Sequence, residues 1–122
     1  MCIRDRDSIR EYFSEWVGEI FPMILGGEHG ILPPIMKALS NHPELQGDLS
    51  RLTLIQIDAH ADLRDELQGE RYSHGTAIRR SLDAGVGGVI QIGTRALSKD
   101  EAKFSLEDRR VETWYALSLI HI

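Results

Sequence analysis

With 122 residues, 42% hydrophobic and 27% charged, the chain has the size and balance of one soluble globular domain with a core of its own. Its 14 basic and 19 acidic residues leave a net charge of −5, which argues against a nucleic-acid or anionic-membrane surface, because phosphate contacts need clustered Lys and Arg. No apolar run approaches the roughly 20 residues of a membrane span, no signal-peptide pattern opens the chain, and the single Cys2 cannot form an internal disulfide, so a cytoplasmic protein is expected.

In chain order, residues 1–6 fit no pattern and read as a stub outside the native sequence. From Asp7 the pattern turns helical. Ile9, Tyr12, Phe13, Trp16, Val17 and Ile20 recur at three- and four-residue spacing, an apolar stripe of the kind that enters a core. Asp7 or Ser8 can cap its start and Gly18 can end it. Phe21-Pro22-Met23-Ile24-Leu25, closed by Gly26-Gly27, reads as a buried strand and a tight turn that carries Glu28 and His29. Residues 31–40 read as a helix with Pro33 and Pro34 tolerated in its first turn, and residues 41–50 as a polar surface connection.

Residues 52–57 form the second expected strand and 58–72 a long loop. Ser73 can cap a helix running to about Ala84, with Gly85 just past its end. Residues 88–93 make a third strand, Ser98 with Glu101 a capping box that opens another helix, and residues 111–116 a fourth strand. The basic pairs Arg79-Arg80 and Arg109-Arg110 read as solvated helix faces. Residues 117–122 are apolar with no closing element, like a truncated or frayed end, so the domain is expected over 7–116.

Strands that alternate with helices predict an α/β fold, a parallel sheet with right-handed crossovers and helices on both faces. Ligand sites in such sheets lie beyond the carboxyl ends of the strands. Glu28-His29, the Asp58 stretch and Gly93-Thr94-Arg95 all fall on that edge. In Gln56-Ile57-Asp58-Ala59-His60-Ala61-Asp62 an apolar run ends in three ligand-type side chains, and extended backbone would send Asp58, His60 and Asp62 to one side. Hard oxygen donors with one nitrogen suit manganese, magnesium, iron or zinc; the plainer reading is a solvated acidic turn. His29 is either a turn histidine without a role or a neighbour of the Asp58 cluster. His74 is either a helix-start residue or a proton shuttle, since imidazole titrates near neutrality. His42 and His121 are assigned no role.

Gly26-Gly27-Glu28-His29, Asp58-Ala59-His60-Ala61-Asp62, Ser73-His74-Gly75 and Gln91-Ile92-Gly93-Thr94-Arg95 occur in the order found in the ureohydrolases, and the chain resembles the arginase and agmatinase family over most of residues 21–116. Asp58 to Arg71 look most like agmatinase. The resemblance implies an arginase-like three-layer α/β/α fold, a guanidino substrate, two manganese ions and a homo-oligomer. It also implies that His29 and Asp62 bind one manganese, His60 the other, with Asp58 bridging and His74 as the proton-shuttling histidine. The implied reaction is attack of hydroxide on the guanidinium carbon of agmatine, giving urea and putrescine, as in polyamine biosynthesis.

Two departures accompany the resemblance. Gly30 stands where many members have Ser, and the family's later Ser-x-Asp-x-Asp motif does not occur. That motif's two aspartates and a downstream glutamate would lie beyond residue 122, so the chain alone is expected to be inactive. The rival expectations are another ureohydrolase substrate (arginine, guanidinobutyrate or formiminoglutamate) and a non-catalytic metal-binding α/β domain.

Overall fold

Three parallel strands carry the fold in the computed structural model, which describes residues 3–18 and 27–117. They are β1 (Thr53–Ile57), β2 (Gly88–Thr94) and β3 (Val111–Tyr115), hydrogen-bonded in the order β1-β2-β3. Ile55 pairs with Ile90, and Gln91 with Thr113. Each crossover contains a helix, α3 (Ala77–Asp83) between β1 and β2 and α4 (Lys99–Glu107) between β2 and β3, as parallel pairing requires. Two helices precede the sheet, α1 (Ile3–Trp16) and α2 (Leu32–Leu39). The expected parallel α/β sheet is therefore what forms. The strand expected over residues 21–25 lies outside the described residues, as do Cys2, Ile20 and His121.

Two apolar clusters hold the helices to the sheet. Ala61, Leu63, Ile78, Leu82 and Val89 form one, with Leu54, Phe104 and Val111 packed against it. Ile35, Met36, Leu49 and Val86 form the other, which Ile9 and Phe13 of α1 join. Each fully buried Leu, Ile or Val contributes on the order of 1.5–3 kcal/mol. All four described helices thus serve the sheet face of Leu54, Val89 and Val111. On the opposite face Ile55 and Ile57 are 67% and 81% exposed.

Several local expectations change. α1 starts at Ile3, not at an Asp7 or Ser8 cap, and Arg6 lies over the Tyr72 ring at 4.1 Å. Ile9 and Phe13 pack inward, but Tyr12 and Trp16 are exposed, because α1 meets the rest of the chain mainly through α2. Gly18, at φ +90°, ends α1 as expected. Arg80 is buried, not solvated, and Arg110 is half-buried, donating to the Leu82 carbonyl at 2.9 Å and to Asp108. The Ser98–Glu101 capping box does form: Glu101 accepts from the Ser98 amide at 2.7 Å and Ser98 Oγ from the Glu101 amide at 3.3 Å. Gly87 is required by close approach, since a Cβ there would sit 1.8 Å from the Ser50 carbonyl oxygen. No described helix is long and apolar enough to cross a membrane.

Candidate metal centre

β1 ends at Ile57, and the chain leaves extended geometry at once. Asp58 Oδ1 accepts from the His60 amide at 3.0 Å, an Asx turn that folds the chain back on itself. The Arg95 and Ala96 amides donate to the Ala59 carbonyl, both at 2.9 Å, and tie this turn to the end of β2. Asp62 then adopts φ +53°, a left-handed conformation that non-glycine residues rarely take and that is often associated with functional sites. Its carbonyl accepts from the Ile78 and Arg79 amides, free donors of the first turn of α3, while its side chain turns the other way. The convergence of Asp58 and Asp62 therefore comes from a turn and a left-handed residue. It does not come from the strand alternation expected for them.

His29 arrives from a separate element. Glu28 caps a single 3₁₀ turn over His29–Ile31, its Oε1 accepting from the Gly30 amide at 2.8 Å, and that turn leads into α2. His29 Nδ1 donates to Asp62 Oδ2 at 2.5 Å and lies 3.2 Å from Asp58 Oδ2. Ligand-type atoms of His29, Asp58 and Asp62 all lie within 4.8 Å of one another. Two carboxylates facing one imidazole form a hard, anionic donor set, and it fits a divalent cation.

The electrostatics agree with a site short of positive charge. The hydrogen bond to Asp62 raises the His29 pKa above its ordinary 6.5, against the opposing effect of burial. Burial pushes the Asp62 carboxyl up, and His29 only partly offsets it. Burial also acts upward on Asp58, but the His60 amide and the His29 charge outweigh it and leave its pKa lowered. His29 and Asp62 both hold protons more tightly than usual, so a cation entering between them has protons to displace.

The other two expected residues stand further out. The His60 ring is 67% exposed, with Nδ1 3.4 Å from Asp58 Oδ1, and it is not part of the converging group. His74 begins the 3₁₀ turn before α3. It lines a cleft of about 720 Å³ together with Glu28, His29, His60, Asp62 and Arg95. Three further residues take part, to which the motif reading gives no site role. Gln56 and Gln91 are amides in the middle of otherwise apolar strands, a visible signal, because a buried amide needs partners. Glu101, beyond its capping role, accepts from the Leu63 amide at 3.1 Å and so anchors the residue after Asp62.

A family model described as "Arginase family" matches residues 6–119. An agmatinase of Bacillus cereus is 38% identical over 107 residues, 85% of this chain and 34% of that protein. A guanidinobutyrase of Pseudomonas aeruginosa is 38% identical over 80 residues, 63% of this chain and 23% of that protein. The crystal structure of an agmatine ureohydrolase of Thermoplasma volcanium superposes with a TM-score of 0.72 at 28% identity, covering 94% of this chain and 36% of that one. The chain thus spans about a third or less of the length of these relatives.

Proposed function

The chain belongs to the arginase family, and on that premise we propose that it forms the metal-binding part of an enzyme that hydrolyses a guanidino compound, agmatine before others, to an amine and urea. The observation that carries this reading is the meeting of His29, Asp58 and Asp62 at the carboxyl edge of a parallel sheet. His29, Asp58 and Asp62 would hold manganese, with His60 from the Asp58 turn reaching a second ion in the complete enzyme. Bound there, a divalent cation supplies Lewis acidity, which can bring the pKa of water from about 15.7 to about 7.

The residues of the chain do the rest. Glu28, on the cleft wall, offers a carboxylate to a cationic guanidinium. Water loses one proton, which restores His74 after its donation, as its oxygen bonds to the guanidinium carbon. The bond from that carbon to the alkyl nitrogen breaks with its electron pair going to nitrogen, and the oxygen's second proton is carried off by the product amine as the urea carbonyl forms. His74, on the cleft wall, gives the departing nitrogen its proton, so agmatine yields putrescine and urea. Agmatine is placed first because the stretch from Asp58 to Arg71 resembles agmatinases. The similarity to a guanidinobutyrase makes 4-guanidinobutyrate the second substrate to try.

The test is a chimera in which this chain replaces the matching segment of the Bacillus cereus agmatinase. The folded, manganese-loaded chimera is expected to release urea from agmatine faster than from 4-guanidinobutyrate or arginine, and His29→Ala should abolish turnover. Urea from 4-guanidinobutyrate alone would transfer the reading to that substrate. A folded, metal-loaded chimera that makes no urea from any of the three would overturn the enzymatic reading and leave a metal-binding domain.

A further inference from the structure

We propose that Gln91 is a positioning residue of the metal centre, acting through Gln56 to hold Asp58 and Asp62 converged. Gln91 lies in the middle strand and its residue is 0% exposed. Its Nε2 donates to the Ala61 carbonyl oxygen and to Gln56 Oε1, both at 2.6 Å, and its Oε1 accepts from Thr113 Oγ1 at 3.0 Å. Gln56 Nε2 then faces the His60 carbonyl oxygen at 3.3 Å, Asp58 Oδ2 at 3.4 Å and Asp62 Oδ2 at 3.5 Å. A line of hydrogen bonds therefore crosses all three strands, from β3 through β2 to β1, and ends on the two carboxylates.

The orientation of both amides follows from what their neighbours can do. A backbone carbonyl only accepts, so the Gln91 atom against Ala61 must be its NH2 group. The second hydrogen of that group points at Gln56, which must present oxygen. Gln56 is thereby obliged to turn its own NH2 toward the His60 carbonyl and the carboxylates, which again only accept. The Oδ2 atoms it approaches are the ones that face His29 Nδ1. A carboxylate oxygen has two lone pairs, so it can accept from Gln56 and still face a cation. The donor between them offsets part of the repulsion between the two acids. The bond to Ala61 also pins the residue before the left-handed Asp62.

This inference rests on the metal reading of the site, and its test separates the two. The Mn2+ affinity of the full chain is measured for the unsubstituted protein, Gln91→Met, Gln56→Met, the double variant, Thr113→Val and Thr113→Ser. The Gln56 side-chain amide signals are followed by NMR without metal. Each glutamine variant is expected to weaken Mn2+ binding roughly 10- to 100-fold, the range seen when groups behind metal ligands are changed. The double variant should be no worse than about threefold beyond Gln56→Met, because one residue acts through the other. Thr113→Val should weaken binding several-fold and Thr113→Ser should retain it. The Gln56 amide protons should exchange slowly in the unsubstituted chain and freely in Gln91→Met.

Affinity unchanged in Gln91→Met, losses that multiply in the double variant, or an undisturbed Gln56 amide would each overturn the relay while leaving the metal site standing. If Gln91→Met does not fold, the threonine pair decides, and equal affinities for Thr113→Val and Thr113→Ser overturn the relay. No Mn2+ binding by the unsubstituted, folded chain would remove the metal reading and the relay with it.

Discussion

Two pairs of carboxylates close in the chain are built in opposite senses. At the carboxyl edge the acids are buried and the base is open, with the Asp62 side chain 6% exposed and that of His29 41%. Along α3 the base is buried and the acids are open, with the Arg80 side chain 3% exposed against 61% for Asp65 and 43% for Asp83. Arg80 Nη2 reaches Asp65 at 2.6 Å and Asp83 at 2.9 Å, and Arg71 and Arg79 stand beside them. The pKa shifts of Asp62 and Asp65 run in opposite directions, while Asp58 is lowered like Asp65. Burial raises Asp62, whereas the Arg80 hydrogen bond lowers Asp65. A permanent guanidinium charge that its neighbours already neutralise is a structural device. Buried carboxylates faced by imidazoles rather than by a permanent guanidinium leave room for a cation.

The largest expected effect tests that contrast directly. Asp62→Ala should weaken Mn2+ binding by at least about 100-fold, in line with loss of a whole ligand rather than a group behind one, whereas Asp65→Ala should leave it within about twofold. Isothermal titration of both variants checks this, and equal losses would erase the distinction between the clusters. Arg80→Met should do the reverse, lowering the midpoint of urea unfolding while leaving metal affinity intact. A change in affinity would show that the two clusters are coupled.

Smaller effects come from pH. His29 and Asp62 both hold protons above their ordinary values, so Mn2+ affinity should rise as pH is raised through the His29 range above 6.5, with protons released on binding. Titrations in buffers of different ionisation enthalpy measure that release. A pH-independent affinity would contradict the His29–Asp62 pairing.

The smallest effect is on the stability of the metal-free protein. The raised pKa of His29 gives a contribution fully present below 6.5 that is lost as pH rises through the folded value. The lowered pKa of Asp65 gives one present above 3.8 that is lost as pH falls through the folded value. The His29 and Asp65 contributions should therefore fade at opposite ends of the pH range, and His29→Ala should flatten the upper limb of the unfolding-midpoint profile.

Much of this was legible without coordinates. Alternating apolar runs and capping signals determined the parallel α/β order, because strand and helix periods and the Ser98–Glu101 box are local properties of the chain. The position of Asp58 and Asp62 just past an apolar run also put them on one edge of the sheet, whereas the sequence argument for His29 rests on a strand over residues 21–25 that lies outside the described residues. Burial was less legible. Arg79-Arg80 looks like a solvated pair in isolation, yet Arg80 is covered, and Tyr12 and Trp16 look like core yet stay exposed. Which side of a helix meets a neighbour depends on packing partners distant in the chain.

The tertiary structure alone decided how the acids meet. Alternation along a strand would have placed Asp58, His60 and Asp62 side by side. The chain instead turns at Asp58, leaves His60 exposed, and reaches Asp62 through a left-handed residue whose carbonyl is held by the amides of α3. It also decided that Gln91 and Thr113, 22 residues apart, would stand behind the site. Hydrogen bonds across three strands exist only once the register is set, and the register depends on the whole sheet.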